Sequence, residues 1–202
     1  MRMVTGVAVL MLGSSPLAAQ YSWGPELGLN VTTYGGLDAQ SAGAQPRIGL
    51  HAGVGAMRQL KRNRLFVETR ILYSQRGANF RVSPYSGAMR FGYVEIPARL
   101  GWAFPRAESR WAPHVEAGAH VGLKAGCTLK SAGSSSPCAD KRGVDFGVGG
   151  GTGVSLKGVW QFSLSYLMGL RTTDQSQTGT SADLKNRGLT LRAARFVRVG
   201  KR

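Results

Sequence analysis

The feature that most constrains this chain is a hydropathy alternation of period two. It is sustained for about ten residues at a time and repeats along the sequence. A period of two places alternate side chains on opposite faces of a strand. The first run sets Trp23, Leu27, Leu29 and Val31 against Glu26, Gly28 and Asn30. The second sets Ile48, Leu50, Ala52, Val54 and Ala56 against Arg47, Gly49, His51, Gly53 and Gly55. The third sets Leu65, Val67, Ile71 and Tyr73 against Glu68, Arg70, Ser74 and Arg76. The fourth sets Val94, Ile96, Ala98, Leu100, Trp102 and Phe104 against Tyr93, Glu95 and Arg99. The fifth is the cleanest, with Val115, Ala117, Ala119, Val121 and Leu123 opposite His114, Glu116, Gly118, His120, Gly122 and Lys124. The sixth opposes Val144, Phe146, Val148 and Val154 to Asp145, Gly147, Gly149, Gly151 and Ser155. The seventh opposes Trp160, Phe162, Leu164, Tyr166, Met168 and Leu170 to Gln161, Ser163 and Ser165. The eighth carries Leu189, Leu191, Ala193, Val197 and Val199, with Thr190, Arg192 and Arg198 on its other face. Arg195 falls among the apolar residues of that last run. A bulge there, turning Phe196 outward, is the expected reason.

Ten residues is the length that a tilted strand needs to cross a bilayer, and single-chain bacterial barrels have even strand numbers. The connections alternate in length. Short ones fall at Lys61-Arg62-Asn63, Pro105–Ser109 and Lys157-Gly158; long ones fall at Thr32–Gln45, Ala78–Ala88, Ala125–Arg142 and Thr172–Arg187. Short turns at one end and long loops at the other belong to outer-membrane barrels. The expected fold is therefore all-β: an eight-stranded antiparallel up-and-down transmembrane β-barrel.

The competing arrangement is a soluble exported barrel or sandwich, with the apolar faces as its core. Two features favour lipid. The runs are longer than the five or six residues usual in soluble sheets. Trp23, Tyr73, Trp102, Phe104 and Trp160 stand near run ends, where interfacial girdles form. The polar faces then line a lumen, which in an eight-stranded barrel is just wide enough for side chains to fill. Buried charges there must be paired, so Glu26, Arg47, Glu68, Arg70, Glu95, Arg99, Glu116 and Asp145 are the expected lumen network. A filled lumen leaves no open pore.

The first residues add an address. Arg2, the apolar stretch Met3–Leu12 and the small-residue end Ser14-Ser15-Pro16-Leu17-Ala18-Ala19 have the layout of a secretory signal peptide. The expected division is a signal peptide at 1–19, cleaved after Ala19, and a barrel at 20–202. Export permits a disulfide between Cys127 and Cys138 across a short polar segment. A metal pair there lacks His or further Cys ligands.

The net charge is +16, from 26 Lys and Arg against 10 Asp and Glu. The cations are scattered singly between apolar residues, unlike a nucleic-acid arm, so no nucleic-acid partner is expected. Arg58, Lys61, Arg62, Arg64, Arg106, Arg110, Lys157, Lys201 and Arg202 gather at the short-turn end. Anionic phospholipid head groups or cell-wall polymer are the partners that this end would suit, and fewer cations are expected in the outer loops.

Phe66–Gly77, Tyr93-Val94-Glu95-Ile96-Pro97, Val115-Glu116-Ala117-Gly118 and Asp145-Phe146-Gly147 resemble the PorT-like outer-membrane β-barrel family. Tyr73-Ser74-Gln75-Arg76-Gly77 and Tyr93–Pro97 are the most specific segments, and the resemblance spans about Glu26 to Val199. It implies an outer-membrane barrel whose relatives mostly lack an assigned activity; the founding member is linked to protein secretion. Many such barrels end in an aromatic residue read by the barrel-assembly machinery, whereas here Phe196 is followed by Val-Arg-Val-Gly-Lys-Arg.

Three chemical motifs compete with this reading. The glycine run Gly147–Gly153 lacks the Gly-Lys-Ser/Thr of a phosphate loop and precedes a strand. It is better read as room for bulky lumen side chains. His114 and His120, six residues apart on one strand face, sit roughly 20 Å from each other and cannot share a metal; no metal or cofactor is expected. His120 and Asp145, with Ser74 near the same rim, are the candidate catalytic residues of a barrel hydrolase. The leading expectation is a non-enzymatic barrel embedded in outer-membrane lipid, with a structural or surface-interaction role carried by its outer loops. An accessory role in a secretion complex, a hydrolase and a soluble ligand-binding barrel are the alternatives.

Overall fold

The computed structural model describes residues 21–36, 39, 43–60, 64–82, 85–105, 109–131, 134–137, 143–172 and 184–199. The signal-peptide segment and Cys138 lie outside the described residues, as do Lys61, Arg62, Arg106, Lys201 and Arg202. The strands are β1 (Tyr21–Gly35), β2 (Ala44–Gln45), β3 (Arg47–Gln59), β4 (Leu65–Val82), β5 (Tyr85–Ala103), β6 (Trp111–Ser131), β7 (Ser134–Pro137), β8 (Val144–Leu156), β9 (Trp160–Thr172), β10 (Lys185–Arg195) and β11 (Val197–Val199). The order β10-β9-β8-β6-β5-β4-β3-β1 closes through antiparallel pairing of β1 with β10, and β11 continues β10 along β1. The result is an eight-stave up-and-down barrel.

The apolar faces point away from the ring. Leu27, Ile48, Leu50, Ile71, Leu100, Leu164 and Leu191 are exposed on the outside, so they are not the core of a soluble barrel. From Trp160 to Leu170 the outward face of β9 is continuously apolar, roughly 33 Å along the strand. At a tilt near 40° that spans about 25 Å, the height of an outer-membrane apolar band. Tyr21, Trp23, Trp102, Phe104, Trp111 and Trp160 form an aromatic girdle at the short-turn end, and Tyr73 and Phe146 stand toward the other.

The last strand differs from the sequence expectation. Pairings Glu26↔Ala194 and Trp23↔Val197 lie in one continuous register, so there is no slip at Arg195. Arg195 is outward at the water-facing rim, its guanidinium 5.7 Å from the Trp160 ring centroid. A charge is tolerated outward at that depth, so no bulge is needed to remove it. Phe196 is turned inward and is 2% exposed; its N–H donates to the Val159 carbonyl in the β8–β9 turn.

Two of the expected long loops also differ. β4 and β5 continue past the apolar band to Val82 and from Tyr85, and β6 runs to Ser131 and folds back as β7. The backbone ladder persists there with the hydropathy pattern inverted. Above the bilayer the outer face meets water, so Arg81, Arg90 and Lys130 stand outward while Ala78, Phe80, Met89 and Cys127 turn inward into a buried apolar cluster. A register shift at Gly92/Tyr93 marks the passage.

Glycine placement explains how the lumen closes. Bulky inward side chains sit directly across the ladder from inward glycines: His51 from Gly28, Phe66 from Gly101, Arg70 from Gly55, His114 from Gly153 and His120 from Gly147. A methyl at Gly101 would land on the Phe66 ring, whereas one at Gly126 would meet nothing within 4 Å. Gly101→Ala is expected to destabilise the barrel by about 1–3 kcal/mol through overpacking. Gly126→Ala is expected to stay within about 0.5 kcal/mol. Urea titration of the detergent-folded protein, read by its mobility shift on unboiled gels, measures both; equal midpoints would overturn the glycine–phenylalanine fit.

Candidate functional site: the charged lumen and its two lids

The inward faces build a two-tier polar core. In the lower tier, acids and bases alternate around most of the ring. His51 Nε2 lies 3.4 Å from Glu26 Oε1, and Arg70 Nε lies 2.6 Å from Glu26 Oε2. Arg70 Nη2 is 2.7 Å from Glu68 Oε2. Arg192 then joins Glu68, at 3.2 Å, to Glu116, and Glu116 also takes Arg99. Asn30 ties the same layer together: it donates to Ser74 Oγ at 2.9 Å and accepts from Thr190 Oγ1 at 3.0 Å. Ser163 Oγ faces both Arg192 and His114.

In the upper tier, Arg76 Nη2 donates to Glu95 Oε2 at 2.7 Å and its Nη1 lies 3.9 Å from Asp145. Asn186 donates to Asp145 Oδ2 at 2.8 Å and to the Tyr93 hydroxyl at 3.3 Å. Between the tiers lies a space of about 20 Å³ lined by Glu95, His120 and Arg192 among others, room for a single water.

Apolar groups cap both ends. Phe66 and Phe196 are buried near the short-turn end, with Phe66 edge-on to the His114 ring at 5.6 Å. At the outer end Tyr34, Ala78, Phe91, Cys127 and Leu184 form a buried cluster, against which Phe80 and Met89 pack.

Glu26, Glu68, Arg70, Glu95, Arg99, Glu116 and Asp145 all face the lumen and hold ion pairs. Arg47 stands half-exposed at the outer rim, paired in register with Thr32. Arg76 and Arg192 were not in the expected set, although each stands on the inward parity of its run. Parity alone was the signal that would have found them.

His120 and Asp145 make no hydrogen bond or ion pair with each other among the described residues. Asp145 pairs in register with Gly122, one inward step above His120. Asn186 takes its carboxylate, and Arg76 Nη1 lies 3.3 Å from His120 Nε2. Ser74 is held by Asn30. The whole group lies beneath the outer apolar cluster. Cys127 is buried in that cluster.

Among the described residues, cations stand at both ends of the barrel. Arg58, Arg64, Arg110, Lys157, Arg195 and Arg198 mark the short-turn end. Arg47, Arg81, Arg90, Lys124, Lys130, Arg171, Lys185 and Arg187 stand at the outer end, and the strand extensions carry Arg81, Arg90 and Lys130 of these. Among the described residues, every carboxylate is in the lumen.

Arg192 is the keystone of the lower tier, since it faces two carboxylates whose side chains are fully buried. Arg192→Met is expected to cost about 3–5 kcal/mol, the penalty for stranding buried charge. Adding Glu116→Gln is expected to recover a large part of it. The urea midpoint of the folded barrel checks this, and additive losses in the double variant would overturn the pairing.

The Outer membrane protein beta-barrel domain family matches residues 15–175. No functionally curated protein matches the chain. Among solved structures the chain is similar to Neisserial surface protein A, at 13% identity and TM-score 0.48, covering 87% of this chain and 96% of that one. It is similar to Ail, the attachment invasion locus protein of Yersinia pestis, in complex with the heparin analogue sucrose octasulfate. That likeness has 13% identity and TM-score 0.47, covering 88% and 99%. It is also similar to the outer membrane enzyme PagL, at 10% identity and TM-score 0.40, covering 82% and 97%. With a closed ring of eight staves, an apolar outer band and a family match over most of its length, this chain belongs to the Outer membrane protein beta-barrel domain family and resides in the outer membrane.

Proposed function

We propose that this protein is a closed, non-enzymatic barrel that acts as a rigid pedestal, with its surface contacts made by the strand extensions at the outer end. The observation that carries this reading is the lumen itself. Its charges are paired internally, its middle space has room for about one water, and apolar side chains cover both mouths. A conducting barrel of larger diameter keeps a water-filled interior; here side chains take that volume. Among the described residues, His120, Asp145 and Ser74 lie under the outer apolar cluster, which favours a structural over a hydrolytic role. Tyr73–Gly77 and Tyr93–Pro97 support a PorT-like member of the family, and a place in a secretion complex would follow from that resemblance alone. At the short-turn end, Arg110, Lys157 and Arg198 line a cleft of about 240 Å³ beside Phe196. That cleft suits anionic head groups or cell-wall polymer.

Reconstitution into planar bilayers tests the closed lumen. The wild-type barrel is expected to give no stepwise conductance, and Phe196→Ala with Phe66→Ala to leave the ionic tiers still blocking. Stable open steps from the wild type would overturn the pedestal reading. The proposed Cys127–Cys138 bond would tie β6 to the segment after β7. Mass spectrometry of the non-reduced protein is expected to find both thiols unreactive to alkylation, and labelling of either in the native protein would remove that bond.

A further inference from the structure

We propose that the outward face of the outer sheet extension is a binding site for an anionic saccharide. The inference rests on the pedestal reading above and supplies it with a ligand class. Outside the apolar band, β2, β4, β5, β6 and β7 form one continuous sheet. The register aligns Gln45 with Asn79, Asn79 with Ala88, Ala88 with Lys130 and Lys130 with Ser135. Residues directly opposite in a ladder share a face, so these side chains form a single row across five strands. At the usual strand spacing the row is roughly 19 Å long, far more than a lone phosphate needs. Arg81 lies two residues beyond Asn79 on β4 and therefore on the same face.

The sheet curls around this row into a concave space of about 420 Å³, lined by Gln45, Asn79, Arg81, Lys130, Ser131 and Ser135 among others. That is the size of a small-ligand site. Its chemistry is specific in two ways. Amides and hydroxyls offer the donors and acceptors that sugar hydroxyls require. Arg81 and Lys130 are exposed cations, and among the described residues neither has a carboxylate partner; every described acid is in the lumen. A neutral sugar would leave both charges unused, and a cationic ligand would be repelled. A glycan bearing phosphate, sulfate or carboxylate groups meets Arg81 and Lys130 with its anions and Gln45 and Ser135 with its hydroxyls, while Asn79, whose amide N–H donates to the Pro46 carbonyl, offers its oxygen.

Height narrows the source. Arg81 is eight residues beyond Tyr73, the last outward aromatic of β4. That is roughly 26 Å along the strand, well above the apolar band. The site therefore meets sugars rather than acyl chains, carried either by the surrounding outer-leaflet glycolipid or by a soluble or foreign polymer.

The test uses the full barrel in phosphatidylcholine nanodiscs and a fluorescent dextran sulfate oligosaccharide, with neutral dextran of equal length as control. The wild type is expected to bind the sulfated probe and not the neutral one. The double variant R81A/K130A is expected to weaken binding about tenfold, since two exposed charge contacts are lost. R171A/R187A removes the same charge from the far side of the ring and is expected to bind as wild type. Each variant must keep its gel mobility shift, which separates misfolding from loss of a site. Equal binding by wild type and R81A/K130A, or equal weakening by both double variants, overturns the site. Lipopolysaccharide in the same disc decides between sources: if it blocks the probe, the ligand is the neighbouring glycolipid, and if binding persists, it is a soluble polymer. Conductance by the same discs would overturn the pedestal reading independently of any probe result.

Discussion

A carboxylate or guanidinium inside a lipid-embedded ring has little water to turn to, so each must find its counter-charge within the barrel. Arg192 meets that constraint for two acids at once. By facing Glu68 on β4 and Glu116 on β6 it ties β10, the closing stave, to strands on the other side of the lumen. A missing partner would cost several kcal/mol, comparable with much of a domain's net stability. The alternation of acid and base from His51 through Arg99 is thus a condition for the ring to close at this diameter, and the hydrogen bonds of Asn30 and Ser163 add further ties between staves.

Steric complementarity works beside the charges. An eight-stave lumen cannot hold a large inward residue on every strand. Here large residues and glycines face each other across the ladder, as Phe66 does Gly101 and His120 does Gly147. The glycine-rich β8 is therefore a wall thinned to receive the imidazoles of β6. Its run of glycines answers a packing demand made elsewhere in the chain.

The membrane-spanning part was legible in the sequence because each strand there separates two unlike environments. The run His114–Lys124 alternates cleanly since one face meets lipid and the other meets the lumen. Where that contrast reverses, the signal is lost: Ala78–Val82, Tyr85–Ala88 and Ala125–Ser131 read as loops, yet they pair as strands, with Ala78, Phe80 and Cys127 turned inward and Arg81 and Lys130 outward. Arg195 misled for a related reason, since a charge on the lipid-facing parity is costly at mid-bilayer and cheap at the rim. The inward side of Arg192 was readable from parity, but its partners were not. They lie 124 and 76 positions away, and no local pattern encodes which acids the curvature of the ring brings near. The same limit applied to His120 and Asp145. Their strands are neighbours, but Arg76 and Asn186 reach in from elsewhere and take the contacts that a dyad would need.

The passage of β4, β5 and β6 from the bilayer into the outer extension has a thermodynamic consequence. The β4–β5 ladder keeps one register from the charged lumen to Val82 and Tyr85, and β5–β6 pairing resumes beyond the shift at Gly92/Tyr93, so the outer surface inherits the order of the barrel. A flexible loop must lose conformational entropy whenever it meets a partner. This surface has lost that freedom already, when the chain folded. Even weak, exposed contacts can then appear as measurable affinity, and changes deep in the lumen that loosen the ring would be felt as weaker binding far above it.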